Sequence, residues 1–158
     1  MPAHPESLIL DANLLVLLVV GSVDERQVAS FKRTSAYTRE DFRLLIGYMA
    51  RFGTLVVTPH ILAEATNLLD DLKEPLRTTA FLFLRELISR SEERFEASVE
   101  LAGRRQFVRL GLADRAVHSV AEAGAALLTA DLDLYLAAST TSQHAVNFNH
   151  LRSGAWRL

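Results

Sequence analysis

The chain has 158 residues, 49% of them hydrophobic and 23% charged, which bounds it to one globular domain (1–158) with a substantial core. A formal net charge of −2 excludes a bulk polyanion binder, so any nucleic-acid contact needs a local basic patch. The absence of cysteine excludes disulfides, thiolate zinc sites and cysteine nucleophiles, and nothing in it opposes a cytoplasmic location.

Ser7–Leu10 reads as a fully buried strand. Apolar character continues over Asn13–Val20, and Gly21 is expected to stop it. The whole run Leu8–Val20 is broken by Asp11 and Asn13 and is shorter than the ~20 residues a spanning helix needs. The preceding "MPAHPES" has no basic residue, and no small-residue cleavage site follows. The run is therefore read as a buried strand entering a buried helix, with no membrane partner. Gly21–Tyr37 is polar and reads as an exposed loop with a helical piece near Asp24–Phe31. Thr38 is placed to cap a helix that carries Asp41 in its first turn and ends at Gly53.

Leu55–Val57 is a second buried strand, and Thr58-Pro59 fits an N-cap followed by proline at the first helical position. Glu64 and Asn67, three apart, share one face of that helix. Pro75 opens a further helix whose broad apolar arc, from Phe81 to Ile88, also suits a partner chain. Glu92–Arg109 holds either a short strand near Phe95–Val99 or only helix. Gly111–Glu122 is helical and closed by Gly124, Ala126–Thr129 is a buried strand, Leu132–Ala138 a short helix, and Ala145–Phe148 an edge strand. This alternation predicts an α/β sandwich with a mainly parallel sheet, whose sites form beyond the carboxyl ends of the strands.

Four acids fall at the edges of apolar runs: Asp11 in "LILDANLL", Glu64 in "HILAEATNLL", Asp114 in "GLADRAV" and Asp131 in "LLTADLDL". Asp11 and Asp131 follow strands, and Glu64 and Asp114 lie in the opening turns of helices leaving the same edge. Each alone reads as a cap or a helix-dipole partner. As a set near apolar strands they repel one another unless a divalent cation lies between them. Oxygen-only ligands select Mg2+ or Mn2+ over zinc, and such ions suit phosphodiester chemistry.

These four pieces, in this order, closely resemble the PIN-domain family of metal-dependent nucleases, over about Leu8 to Phe148. The family's acids fall on Asp11, Glu64, Asp114 and Asp131. Asn13 and Thr129 match polar positions that support them, Asn67 lies beside Glu64, and Asp133 matches a variable extra acid. The resemblance implies a three-layer α/β/α sandwich, Mg2+ or Mn2+ as cofactor, and endoribonuclease hydrolysis leaving a 3′-hydroxyl and a 5′-phosphate. Many small stand-alone members look like VapC-type toxins, dimeric and neutralised by an antitoxin protein. This chain departs from them in a polar insertion at about 21–37 and a C-terminal extension at about 144–158.

Arg104, Arg105, Arg109 and Arg115 form a basic run near Asp114, read both as a guide for an RNA backbone and as a solvated helix face. The five histidines show no metal-ligand spacing, although His60 precedes Glu64 by one helical turn. Trp156 is expected to pack the tail. Two other functions compete with a nuclease. One is a catalytically silent PIN-like module that binds RNA or a protein. The other is a phosphatase with an aspartyl nucleophile, disfavoured because Asn13 stands where a second Asp is wanted.

Overall fold

The computed structural model describes residues 4–154, so Trp156 and the end of the C-terminal extension lie outside the described residues. Strands β1 (Ser7–Leu10), β2 (Thr54–Val57), β3 (Glu92–Glu93), β4 (Ala126–Thr129) and β5 (Ala145–Asn147) form one sheet in the order β3-β2-β1-β4-β5. Every pairing is parallel. Residues of β1 and β4 are almost wholly buried because helices cover both faces.

The helices are α1 (Ala12–Val23), α2 (Arg39–Met49), α3 (Pro59–Leu69), α4 (Leu76–Arg90), α5 (Ser98–Ala102), α6 (Phe107–Glu122), α7 (Leu132–Ser139) and α8 (Phe148–Gly154). The chain steps outward from β1 to β2 to β3, then returns to the other side of β1 as β4. Right-handed crossovers therefore put α1–α4 on one face and α5–α7 on the other, a three-layer α/β/α sandwich. The strand order reverses between β1 and β4, and at such a switch point the chain parts and leaves a crevice at the carboxyl edge.

Helix α1 is apolar all round because α2, α3 and α4 enclose it. No helix among the described residues is long and apolar enough to cross a membrane. Gly21 does not stop α1, which runs to Val23: a Cβ at Gly21 would come within 2.1 Å of the Phe42 ring, so glycine here admits a close approach of α2. Thr38 caps α2 in a reciprocal capping box with Asp41. That helix ends at Met49, four residues before Gly53.

The segment 21–37 is less exposed than its polarity suggests. Beyond the end of α1 it contains a short 3-10 turn at Glu25–Gln27, and Val28, Phe31 and Thr34 are buried. The Thr34 hydroxyl donates to the Val28 carbonyl oxygen at 2.7 Å and closes the loop on itself. The strand expected near Phe95–Val99 lies earlier, at Glu92–Glu93, and α5 occupies part of the expected span. Helix α6 is broken at Gly111, whose φ of 80° only glycine adopts readily, so a fresh helical start follows just before Asp114.

Candidate functional site

Asp11 leaves β1 and caps α1 in the same residue. Its Oδ1 accepts from the Leu14 amide at 2.8 Å, and its Oδ2 from the Ala130 amide at 3.0 Å and the Thr129 hydroxyl. Asp11 is 3% exposed. Burial pushes its pKa up, the bonds from Thr129, Leu14 and Ala130 pull it down, and the charge of Asp131 adds to the rise. Three donors fix both oxygens in place, yet a carboxylate offers about four lone-pair sites and keeps one for a ligand.

Thr129 ties the two sides of the switch point together. Its hydroxyl donates to Asp11 and accepts from the Asp131 amide at 3.0 Å. Asp131 in turn caps α7, its Oδ1 accepting from the Leu134 amide at 2.9 Å. Only Oδ1 of Asp131 serves the cap, so the other oxygen is available at the exposed rim.

Glu64 sits one turn deeper in α3 than the opening turn expected for it, and Asp114 opens the second half of α6. Helices α3 and α6 touch, which carries these two acids toward each other. Burial first, then the charges of Asp11 and Asp131, raise the Glu64 pKa. Burial and the charges of Asp131, Asp11 and Glu64 push the Asp114 carboxyl up to about 7. Nothing pulls either carboxyl down: the influences on both are burial and other carboxylates. The charges of Asp11 and Asp131 therefore reach both Glu64 and Asp114 at the switch-point edge.

Among the described residues, no three His, Asp or Glu side chains are placed to ligate one ion together. The donor set still fits a hard cation, since Mg2+ keeps several waters and takes only one or two carboxylates directly. Oxygen ligands in mutual repulsion, one of them protonated up to about pH 7, are what a divalent charge would relieve.

Other expected site residues divide. Asn13 is exposed in the first turn of α1, and Asn67 is exposed on α3 one turn beyond Glu64. Asp133 does not join the carboxylate group: it pairs with Arg109 at 2.8 Å on the outer side of α7. Arg115 does not belong to the exposed basic run, because it is 2% exposed and pairs with Glu122 two turns along α6. A buried guanidinium cannot guide an RNA backbone. Arg104 pairs with Glu96, while Arg105 is exposed.

Three residues at this edge went unread in the sequence. Tyr37, in the polar segment, is near enough for Asp11 to act on its phenol, which burial above all pushes up to about 12. Arg152 lies over the Tyr37 ring at 5.1 Å and reaches the Asp41 carboxylate and the Ala36 carbonyl oxygen, each at 3.0 Å. Asn149 donates from Nδ2 to the Ala130 carbonyl oxygen at 3.5 Å. Asn149 lies two residues past β5, so the strand-end logic that found Asp131 two residues past β4 also reaches it.

The fold and edge define a parallel α/β/α protein with carboxylates gathered at the carboxyl edge of its switch point. Comparisons with protein-family models, with curated proteins and with solved structures returned no match.

Proposed function

We propose that this chain is a metal-dependent endoribonuclease of PIN-like type, hydrolysing RNA phosphodiester bonds with Mg2+ or Mn2+. The observation that carries the reading is the convergence of the Asp131, Asp11 and Glu64 charges on the part-buried Asp114 at one sheet edge. When bound, the cation would supply a water of lowered pKa and stabilise charge developing at phosphorus. Asp11 and Asp131 would hold it from fixed positions, since backbone amides and Thr129 orient them. Glu64 and Asp114 are the adaptable members. Asp114, with a pKa of about 7, would release its proton where a cation is bound, and its carboxylate would then accept a hydrogen bond from water.

The test is cleavage of a labelled RNA with Mg2+ or Mn2+, with and without chelator, by wild type and Asp11→Asn. Cleavage that needs the cation and disappears in the variant is expected. Equal cleavage by the two proteins would reject the proposal.

A toxin with an antitoxin partner, acting as a homodimer, is the extension of this reading that the family resemblance suggests. A second reading, a catalytically silent PIN-like module that binds RNA or a protein, is favoured by the absence of three ligands in common reach among the described residues. Thermal melting with added Mn2+ separates the two readings, since a cation that binds the folded state raises the midpoint by mass action.

A further inference from the structure

A recess of about 150 Å³ lies between the carboxyl end of β3 and the flank of α6. Its walls include Thr58, Phe95, Glu96, Ala116, Ser119 and Val120. The Arg94 amide donates to the Val57 carbonyl oxygen at 2.9 Å, so the chain leaves the sheet level with Thr58, at the edge that carries the acids. Helix α6 is common to both places: Ser119 lies five residues, or about 7.5 Å of helix rise, past Asp114.

Three features of the recess are unexplained by folding. Phe95 is 75% exposed at its mouth, an aromatic face with no apolar cover. Glu96 uses Oε1 for Arg104, but its buried Oε2 has no hydrogen-bond partner. The buried Ser119 hydroxyl has none either. It lies beside Glu96, where burial pushes the carboxyl's pKa up but Arg104 and Ser119 hold it down. An ionised acceptor, a hydroxyl that donates or accepts, and a bare aromatic face complement a flat ring bearing an N–H beside an acceptor. The volume is below the 300–1,000 Å³ or so typical of larger ligands, and is on the scale of one ring system.

We infer that this recess takes one unpaired nucleobase, stacked against Phe95 and read along its polar edge by Glu96 and Ser119. This rests on the nuclease reading and narrows its substrate to single-stranded RNA, because a paired base presents neither a free face nor a free edge. Apolar sides from Ala116 and Val120 hold the ring, and Arg94, which lines the recess, suits an adjoining phosphate.

The experiment is fluorescence anisotropy of a labelled ten-nucleotide single-stranded RNA in chelator, which suppresses cation-dependent cleavage. Phe95→Ala should bind about fivefold to a hundredfold more weakly than wild type, the range of one lost base–aromatic stack. Glu96→Gln should weaken binding at least severalfold and change the preference among homopolymer RNAs. An exposed Phe95 makes Phe95→Ala safe for folding, and its melting midpoint should match wild type. Equal affinity of wild type and Phe95→Ala, at any level including none, overturns the subsite. Cleavage by wild type with unchanged binding in the variants rejects the recess and keeps the nuclease. Variant-sensitive binding with no cleavage does the reverse.

Discussion

Asp114→Asn should make the protein more stable when divalent cations are removed. In the folded chain this carboxyl rises from 3.8 to about 7 through burial and the charges of Asp131, Asp11 and Glu64. At about 1.4 kcal/mol per pKa unit, the ceiling on the destabilisation is roughly 4 kcal/mol. Asp114 is only part-buried, and solvent screening brings a realistic figure to about 2 kcal/mol. The sign follows from proton counts. Between pH 4 and pH 7 the unfolded chain has released this proton while the folded chain keeps it, so stability falls as pH rises and the loss is complete above about 7. Asparagine carries no charge in either state and escapes the loss.

The assay is thermal melting in EDTA at pH 8 and again near pH 4. For a chain of this length about 1 kcal/mol moves the midpoint by about 2–4 °C, so Asp114→Asn should melt about 4–8 °C above wild type at pH 8. The gap should close toward pH 4. Added Mn2+ should then raise wild type more than the variant. An Asp114→Asn protein that melts at or below wild type at pH 8 in EDTA refutes the convergence of charge on which the site rests.

Thr129→Val keeps the shape and removes the hydroxyl that serves Asp11 and the Asp131 amide, so urea unfolding should show a loss of about 2 kcal/mol, mostly restored in Thr129→Ser. Mn2+ affinity, read by isothermal titration, should weaken as pH falls from 8 to 6, because the proton on Asp114 must be displaced; a flat profile would contradict the raised pKa. Arg152→Ala leaves the buried Asp41 carboxylate without its ion-pair partner and should lower stability by about 1–3 kcal/mol, with faster proteolysis at the carboxyl end as the sign that α8 has come loose.

The strands β1, β2 and β4 were legible because each is a continuous apolar run ended by a capping residue, Asp11, Thr58 and Asp131 respectively. Strand β3 was not, because its two residues are exposed glutamates and only pairing with β2 defines it. Its charge suits an edge strand that must not recruit another chain. Gly21 misled for a related reason: glycine commonly ends helices, but here it answers to the Phe42 ring, a contact invisible in the local sequence. The same limit hid the fates of Asp133 and Arg115. Asp133 meets Arg109, 24 residues away, because α6 and α7 pack together, and Arg115, although its partner Glu122 lies two turns along the same helix, is buried.

For Asp11 and Asp131 the structural and the functional account coincide. Each carboxylate caps a helix at the place where a strand ends, and so sits at the carboxyl edge of the sheet on either side of the switch point. Capping occupies one oxygen and leaves lone pairs over, so a cap is no argument against a ligand. Glu64 and Asp114 are different. Neither caps a helix, and partial burial and the other carboxylates raise the pKa of both. A helix gains little from an acid in its second turn, as at Glu64, and a carboxyl pushed to about 7 destabilises the fold that contains it. Asp114, more than the well-satisfied pair, demands an explanation outside the fold, and the exposed Glu64 adds its charge to the same place. A divalent cation at the edge gives one, and the Asp114→Asn melting experiment is the measurement most exposed to its being wrong.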